Sequence, residues 1–217
     1  MKQYQYLLFD LDGTLTDPGK GIRNSVAYAL DKMGLPEQTE SELNRFIGPP
    51  LQEGFQLWCG LEDFGVDQAV TYYREYYQRQ GMFENTVYNG IRELLLCLRE
   101  QGSILAVATS KPEIYARQIL DHFQLSEYFH LIAGGNLDGT RCTKTEVIRY
   151  VLNTYRMDVG TAVMIGDRKQ DILGAIANHL DSIGVLYGYG SREELDQAGA
   201  HILADSVGAL AEYLKCK

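Results

Sequence analysis

The sequence predicts an α/β fold: a doubly wound, mostly parallel sheet with an inserted all-helical segment. Short apolar runs alternate with helical patterns through most of the 217-residue chain, which is typical of a parallel sheet covered by helices on both faces. Residues 18–83 interrupt this alternation, because they contain helical patterns and no strand pattern. The predicted organisation is one open sheet whose first strand is separated from the other strands by a helical insertion.

Six apolar runs are the predicted strands. They cover residues 6–10, 104–110, 129–135, 162–167, 181–188 and 200–204. The helical patterns around them cover residues 90–101, 112–123, 143–156, 170–179, 191–197 and 206–215. Thr143 and Glu146 fit a capping box at the start of one helix. Ser191 and Glu194 fit a second box, and Pro112 fits a first helical position.

The insertion contains four helical segments, with a Gly-Pro-Pro break at residues 48–50. The segments cover residues 19–34, 39–46, 51–59 and 66–80. We therefore predict a core domain of residues 1–16 and 85–217 and an inserted helical domain of residues 17–84.

Composition and charge exclude several classes of protein. The net charge is −9 and the lysines and arginines form no basic stripe, so a nucleic acid polymer is not an expected partner. The apolar runs are far shorter than the roughly 20 residues of a membrane span, and the N-terminus lacks a signal-peptide pattern. We therefore expect no membrane partner and a cytoplasmic location. The four cysteines include no C-x-x-C pair, so free, reduced thiols are expected.

Polar side chains suited to phosphate chemistry follow several predicted strands. The carboxyl ends of parallel strands meet at one edge of an open sheet, where ligands bind near the switch point. The residues at this edge are Asp10 and Asp12 after the first strand, Thr109 and Ser110 at the end of the second, Lys144 in the helix after the third, and Asp167 at the end of the fourth. Carboxylates beside a lysine and a hydroxyl suit an oxygen-liganded Mg²⁺ that holds a phosphoryl group.

These residues carry a family resemblance. FDLDGTLTD at residues 9–17, ATSKP at 108–112, Lys144 and IGDRKQD at 165–171 resemble the four ordered motifs of the haloacid dehalogenase-like superfamily. The helical stretch 18–83 resembles the cap that those enzymes insert after the first motif. The resemblance spans essentially the whole chain, and the phosphoglycolate phosphatase-like hydrolases are the branch that it indicates. It implies a Rossmann-like core with a helical cap domain.

The resemblance implies a role for each matching residue. Asp10 is the expected nucleophile, which attacks phosphorus and forms an aspartyl-phosphate. Asp12 protonates the leaving alkoxide and then deprotonates the water that hydrolyses the intermediate. The Thr109 hydroxyl and the Ser110 backbone N–H bind phosphate oxygens, and Lys144 neutralises the phosphoryl group and Asp10. Lys144 stands in T-K-T-E, whereas the family often has K-P-x-P, so its role depends mainly on its position.

The cofactor that the resemblance implies is Mg²⁺. Its expected ligands are the Asp10 carboxylate, the backbone carbonyl of Asp12 and the Asp167 carboxylate. Asp171, four residues after Asp167, is either a further ligand or a partner of the ligands.

Substrate selection is expected to involve the inserted helical domain. Arg45 precedes the loop that begins with Gly48, and this loop would direct the Arg45 guanidinium to the distal anion of a substrate. An ordinary surface arginine fits the same sequence equally well. Tyrosines at four positions of the last insertion helix would suit stacking on a nucleobase, but their i, i+4 spacing favours packing. They are Tyr72, Tyr73, Tyr76 and Tyr77.

The sequence leaves two classes of function open. The first is an Mg²⁺-dependent phosphatase of a small phosphorylated metabolite, with phosphoglycolate as first candidate and nucleoside 5′-monophosphates as the alternative. The second is a non-catalytic binding or regulatory protein that has kept the fold. Asp12 favours phosphate esters over a dehalogenase, which does not need the second acid. The sugar-phosphate mutases carry a histidine where this chain has Gly19-Lys20-Gly21, so hydrolysis is preferred. The expected state is a monomer or a homodimer.

Overall fold

The structure is a computed structural model that describes residues 3–138 and 140–216. The chain divides into two compact units. One unit is Asp17–Thr86, and the other combines the segments before and after it. The division predicted from the sequence placed the second boundary slightly earlier, between residues 84 and 85.

The helices and strands follow one another in a regular order along the chain. They are β1 (Tyr6–Phe9), β2 (Thr16–Asp17), α1 (Gly19–Lys32), α2 (Glu40–Asn44), α3 (Leu51–Cys59), α4 (Asp63–Arg79), β3 (Thr86–Val87), α5 (Ile91–Glu100), β4 (Ile104–Pro112), α6 (Glu113–His122), β5 (Leu131–Gly135), α7 (Lys144–Tyr155), β6 (Ala162–Gly166), α8 (Lys169–Ala177), β7 (Asp181–Val185), α9 (Arg192–Ala198), β8 (Ile202–Ala204) and α10 (Val207–Tyr213).

Within the described residues, six parallel strands form one sheet in the order β5-β4-β1-β6-β7-β8, which confirms the predicted α/β fold class. β1 lies between β4 and β6, with Leu8 opposite Ala106 on one side and Met164 on the other. The chain leaves β1 toward β4 and β5 and later returns to the other side of β1 at β6. This reversal of strand order next to β1 is the switch point, so the carboxyl ends of β4, β1 and β6 form the expected ligand edge.

Helices α7 and α8 cover one face of this sheet. Small side chains on the strands, such as Ala106 and Ala108, are fully buried and allow the helices to lie close to the sheet. The apolar side chains packed there include Leu8, Ala133, Val147, Ile148, Val151, Met164 and Ala175. Consecutive residues of one strand, such as Leu7, Leu8 and Phe9 of β1, are all buried. Both faces of the sheet are therefore covered, which explains why the strands read as continuous apolar runs rather than as an alternating pattern.

Two of three local predictions for this unit need correction. Pro112 is not the first helical residue: it ends β4 and directly precedes α6, which begins at Glu113. Ser191 caps α9 through the N–H of Glu194, but the Glu194 carboxylate accepts from the N–H of Lys169 instead of closing the predicted box. The capping box of Thr143 at α7 is formed as predicted.

The unit Asp17–Thr86 contains the four predicted helices. α1 and α3 both contact α4, and the buried residues of this unit include Val26 of α1 and Val70 of α4. Gly21 of α1 lies so close to the backbone of Gly81 that a Cβ at residue 21 would overlap the Gly81 carbonyl oxygen. Short strands β2 and β3, which the sequence did not predict, pair with each other.

The cysteines differ from the prediction. Cys97 of α5 and Cys216 form a disulfide, with their Cα atoms 5.8 Å apart, so the expectation of free thiols is wrong for this pair. Cys59 and Cys142 are free, as predicted. The bonded cysteines are 119 residues apart, so their pairing depends on the tertiary structure and not on a local motif.

None of the helices in the described part of the chain combines the length and the apolar character needed to cross a bilayer.

Candidate active site

Asp10 is the first residue after β1, and its backbone fixes it at the edge of the sheet. Its N–H donates to the carbonyl of Ile165 in β6 at 2.9 Å. The side chain is buried, and its Oδ1 accepts from the N–H of Leu11 at 2.7 Å. The carboxylate is thereby directed away from the strand, into the space beyond the ends of β1 and β6.

The turn after Asp10 brings Asp12 to the same edge. Gly13 has φ +80°, and its N–H donates to the carbonyl of Thr16 at 2.7 Å. A Cβ at Gly13 would overlap the side chain of Asp167. Glycine is therefore required here both for the positive φ and for the close approach to a carboxylate. The D-x-D-G sequence is thus a turn built against the acid at the end of β6.

Lys144 is buried at the start of α7, where the Thr143 cap fixes the helix. Its Nζ lies 2.8 Å from Asp10 Oδ1 and 2.7 Å from Asp171 Oδ1, and it donates to the carbonyl of Ala108 at 3.0 Å. Burial lowers the pKa of the ammonium, but the charges of Asp10 and Asp171 outweigh it, so the pKa is raised overall. Lys144 is accordingly a permanently charged partner of two carboxylates.

Asp167 and Asp171 flank the start of α8. Asp171 is fully buried, and its Oδ2 accepts from the N–H of Arg168 at 3.0 Å. Asp167 is also buried, and its Oδ2 accepts from the N–H of Tyr189 at 2.8 Å. The hydroxyl of Thr14 lies 3.5 Å from the other Asp167 oxygen.

The three buried carboxylates form a cluster that a cation fits. Asp10, Asp167 and Asp171 each offer an oxygen within 4.8 Å of the other two. Burial first, and then the charges of Asp171 and Asp10, raise the pKa of Asp167 well above its usual range. Burial raises the pKa of Asp171 to about 6, against the lowering effect of Lys144. These raised pKa values reflect acids that are crowded together without enough positive charge, and an all-oxygen donor set suits Mg²⁺ or a similar hard cation.

Thr109 and Ser110 lie within β4 and not at its end, which corrects their predicted position. The pairing of β4 with β5 is regular up to Ala108 and resumes only at Pro112, so the residues between form an irregular segment. Thr109 is buried and its hydroxyl accepts from the N–H of Lys111 at 3.2 Å, whereas Ser110 is exposed. The irregularity frees this stretch of backbone from the sheet at the ligand edge.

Comparison with known proteins identifies the family. The family model of haloacid dehalogenase-like hydrolases matches residues 7–185. The chain belongs to this family. The matched region includes Asp10, Lys144 and Asp167 and spans both units of the fold.

Relatives of this haloacid dehalogenase-like protein carry several names. A 5′-nucleotidase of Pseudomonas aeruginosa is 44% identical over 98% of this chain and 96% of that protein. A tyrosine-protein kinase PtkA of Mycobacterium tuberculosis is 38% identical over 97% of this chain and 72% of that protein. A phosphoglycolate phosphatase of Colwellia psychrerythraea is 29% identical over 99% of both chains. The crystal structure of a predicted phosphatase from Clostridium acetobutylicum is 47% identical, with a TM-score of 0.92 over 99% of both chains.

Two groups near the site of this haloacid dehalogenase-like chain were missed in the sequence. Lys111 lies within ATSKP, yet only Thr109 and Ser110 were selected there; its Nζ pairs with Asp12 Oδ2. The sequence predicts a strand over residues 181–188, but β7 stops at Val185 and a loop follows it. A glycine in that loop, Gly188, approaches Asp167 so closely that a Cβ would overlap it. The Y-G-Y-G sequence of this loop is the local pattern from which a loop could have been predicted here.

The predicted selectivity residues lie in the other unit. Arg45 follows α2 and is exposed, and Gly48 has φ +106° in the loop that precedes α3. Tyr73 and Tyr77 are buried and stacked on each other, with ring centroids 5.4 Å apart. The faces of these two rings are therefore packing surfaces of the helical unit, as the i, i+4 spacing indicated.

Proposed function

We propose that this protein is an Mg²⁺-dependent phosphatase that hydrolyses a small phosphomonoester through an aspartyl-phosphate on Asp10. The observation that carries the proposal is the buried cluster at the end of β1, where Lys144 bridges Asp10 and Asp171. Phosphate monoesters hydrolyse extremely slowly without a catalyst, so a nucleophile, a proton donor and cations must act together. The haloacid dehalogenase-like family membership supports the same chemistry.

In the first half-reaction, an Asp10 oxygen attacks phosphorus. Lys144 and the N–H of Leu11 both contact Asp10 Oδ1, which orients the carboxylate before substrate arrives. As the P–O bond to the leaving group breaks, the leaving oxygen takes a proton from Asp12. In the second half-reaction, water attacks the phosphoryl group on Asp10, and Asp12 takes the proton that water gives up. The bond from Asp10 to phosphorus breaks, which releases phosphate and restores the Asp10 carboxylate.

The transferred phosphoryl group needs hydrogen-bond donors and positive charge around its oxygens. We assign the Thr109 hydroxyl and the Ser110 N–H to this role, because the irregular part of β4 exposes that backbone segment at the ligand edge. Lys144 supplies a fixed positive charge beside the nucleophile. Donors held in place before the reaction stabilise developing charge more effectively than mobile water does.

The metal site would use residues of the same unit. Asp10, Asp167 and the backbone carbonyl of Asp12 would hold Mg²⁺, with Asp171 as a further ligand or as a partner through Lys144. Asp171 already contacts Lys144 and the N–H of Arg168, which favours the second of these two roles. When bound, the ion would offset charge on the phosphoryl oxygens as a Lewis acid.

We propose a small phosphometabolite as substrate, with phosphoglycolate and nucleoside 5′-monophosphates as the two candidates. The names of the Colwellia and Pseudomonas relatives support one candidate each. The mutual stacking of Tyr73 and Tyr77 removes part of the argument for a nucleobase platform. A cytoplasmic location and a monomeric or homodimeric state belong to the same proposal.

A substrate panel tests this function directly. With Mg²⁺ present, the protein is expected to release phosphate from p-nitrophenyl phosphate and from at least one metabolite of the panel, ranked by kcat/KM. The panel contains phosphoglycolate, several nucleoside 5′-monophosphates and sugar phosphates. ATP with a tyrosine peptide is included because one relative is named a kinase. No phosphate release from any compound would favour the non-catalytic alternative.

Arg45→Ala tests the role of the helical unit in selecting the substrate. If Arg45 meets a distal anion, its loss is expected to raise KM for anionic metabolites roughly 10-fold or more, because a charged hydrogen bond contributes about 1.5–3 kcal/mol. KM for p-nitrophenyl phosphate, which has no second anion, should change little.

Arg79→Ala is the matched control for Arg45→Ala. Arg79 is an arginine of the same unit whose side chain is 78% exposed. Its removal is expected to leave both KM values unchanged. Equal changes for the two substrates in Arg45→Ala would remove Arg45 from the selectivity role.

A further inference from the structure

The contact between Lys111 and Asp12 is not explained by the roles assigned above. The Lys111 ammonium pairs with Asp12 Oδ2, although the two residues lie 99 positions apart in the sequence. The Lys111 side chain is only 8% exposed, and that of Asp12 is 23% exposed. A lysine is seldom buried unless it is paired, so this side chain is held in place by its contact with the proposed proton donor.

The two oxygens of Asp12 have different surroundings. Oδ2 is held by Lys111, whereas Oδ1 is buried and has no hydrogen-bond partner among residues 3–138 and 140–216. A buried polar atom without a partner costs free energy and is uncommon in folded proteins. An arrangement that fixes one oxygen and leaves the other unpaired is typical of a group that meets its partner only when a ligand is present.

The position of Lys111 in the chain links it to the proposed phosphate-binding segment. Lys111 and Thr109 lie in the same irregular stretch of β4, and the Lys111 N–H donates to the Thr109 hydroxyl at 3.2 Å. The stretch that is proposed to bind phosphate oxygens therefore also carries the cation that holds Asp12. The relative placement of phosphate and proton donor is thus set by three consecutive residues of one strand.

We infer that Lys111 is a positioning residue for Asp12: its ammonium anchors Oδ2 so that Oδ1 faces the leaving-group oxygen. This inference rests on the proposed function, in which Asp12 gives its proton to the leaving oxygen as the P–O bond breaks and the bond from Asp10 to phosphorus forms. In this role Lys111 acts through its contact with Asp12. Its effect is to restrict the rotamers of the Asp12 side chain before the reaction. The entropy cost of fixing that side chain is then not added to the barrier of the chemical step.

The leaving group provides a specific readout of this role. An alkoxide is strongly basic and needs the proton as it departs, whereas p-nitrophenolate departs readily without one. A variant with a misplaced Asp12 should therefore lose kcat/KM far more on an alkyl phosphate than on p-nitrophenyl phosphate. This ratio reports the steps up to departure of the leaving group and excludes the later hydrolysis of the intermediate, which is common to both substrates. A general loss of packing or of phosphate binding would lower both rates together.

The experiment compares Lys111→Met, Asp12→Asn and the double variant on these two substrates with Mg²⁺ present. Lys111→Met is expected to lower kcat/KM for the alkyl phosphate by roughly 10- to 100-fold and kcat/KM for p-nitrophenyl phosphate by less than about 3-fold. The double variant should be no slower than Asp12→Asn, because Lys111 acts through Asp12. Lys111→Arg should recover part of the lost rate, because it restores a cation at this position.

Lys215→Met is the control, since Lys215 is an exposed lysine of the same unit, and both rates are expected to stay unchanged. The rate of Lys111→Met on p-nitrophenyl phosphate also reports that this variant is folded. Equal losses on both substrates, or losses that add in the double variant, would overturn the positioning role. An Asp12→Asn variant without leaving-group dependence would instead show that the acid role of Asp12, and with it the proposed mechanism, is wrong.

Discussion

Asp10→Asn is expected to abolish turnover of every phosphomonoester that the protein accepts. An amide is a very poor nucleophile toward phosphorus, and the substitution also removes a carboxylate from the proposed metal site. Loss of a covalent nucleophile lowers kcat by at least about 10³-fold in comparable enzymes. Phosphate release and the acid-stable phosphoryl label on the protein should both disappear. Asp12→Ala should retain the label, because breakdown of the intermediate is slowed as well as its formation.

The stability of Asp10→Asn separates lost chemistry from lost folding. Asp10 is one of three clustered, buried carboxylates, and Lys144 keeps Asp171 as a partner when Asp10 is neutral. The metal-free variant is therefore expected to unfold at the same temperature as the wild type or at a higher one. Asp205→Asn, at an exposed acid 75% accessible in its side chain, is the matched control with full activity. Turnover of Asp10→Asn near the wild-type rate would remove Asp10 from the nucleophile role.

The strands and the acids at their ends could be predicted because their signals are local. Each strand is a short apolar run, and a doubly wound sheet places the residues that follow β1 and β6 at the same edge. This geometry explains why Asp10 and Asp167 were selected from the sequence and lie together in the structure. The helical insertion was predicted for a similar reason, because its periodicity and its Gly-Pro-Pro break are local features.

The features that were missed depend on contacts between distant residues. The pairing of Lys111 with Asp12 requires β4 to lie beside β1, and nothing in ATSKP indicates where that lysine points. The Cys97–Cys216 bond likewise requires α5 to lie near the C-terminus. In the sequence, the irregular part of β4 resembles an ordinary strand end, because the apolar run stops at Ala108. In the structure, the strand continues to Pro112. Local patterns fix elements, whereas side-chain partners follow from the tertiary arrangement.

Replacement of Mg²⁺ by Ca²⁺ is expected to inhibit turnover almost completely. Mg²⁺ takes six ligands near 2.1 Å, so it should bind only one oxygen of Asp10 and leave the other to attack phosphorus. Ca²⁺ accepts six to eight ligands at about 2.3–2.6 Å, so it can bind both oxygens of the same carboxylate. The nucleophile would then be occupied. Mn²⁺ also favours octahedral oxygen sites and should restore activity at least in part.

The measurement uses chelated protein supplied with each ion in turn, followed by addition of Ca²⁺ to the Mg²⁺-loaded enzyme. Ca²⁺ should compete with Mg²⁺, so the inhibition should be relieved by excess Mg²⁺. Thermal unfolding with each ion provides a readout that is independent of turnover, because an ion that binds the buried cluster stabilises the folded state. Stabilisation by Ca²⁺ without activity would show that the ion reaches the cluster and blocks the chemistry there. Full activity without added metal, or with Ca²⁺ alone, would contradict both the metal requirement and the single free oxygen of Asp10 on which the mechanism depends.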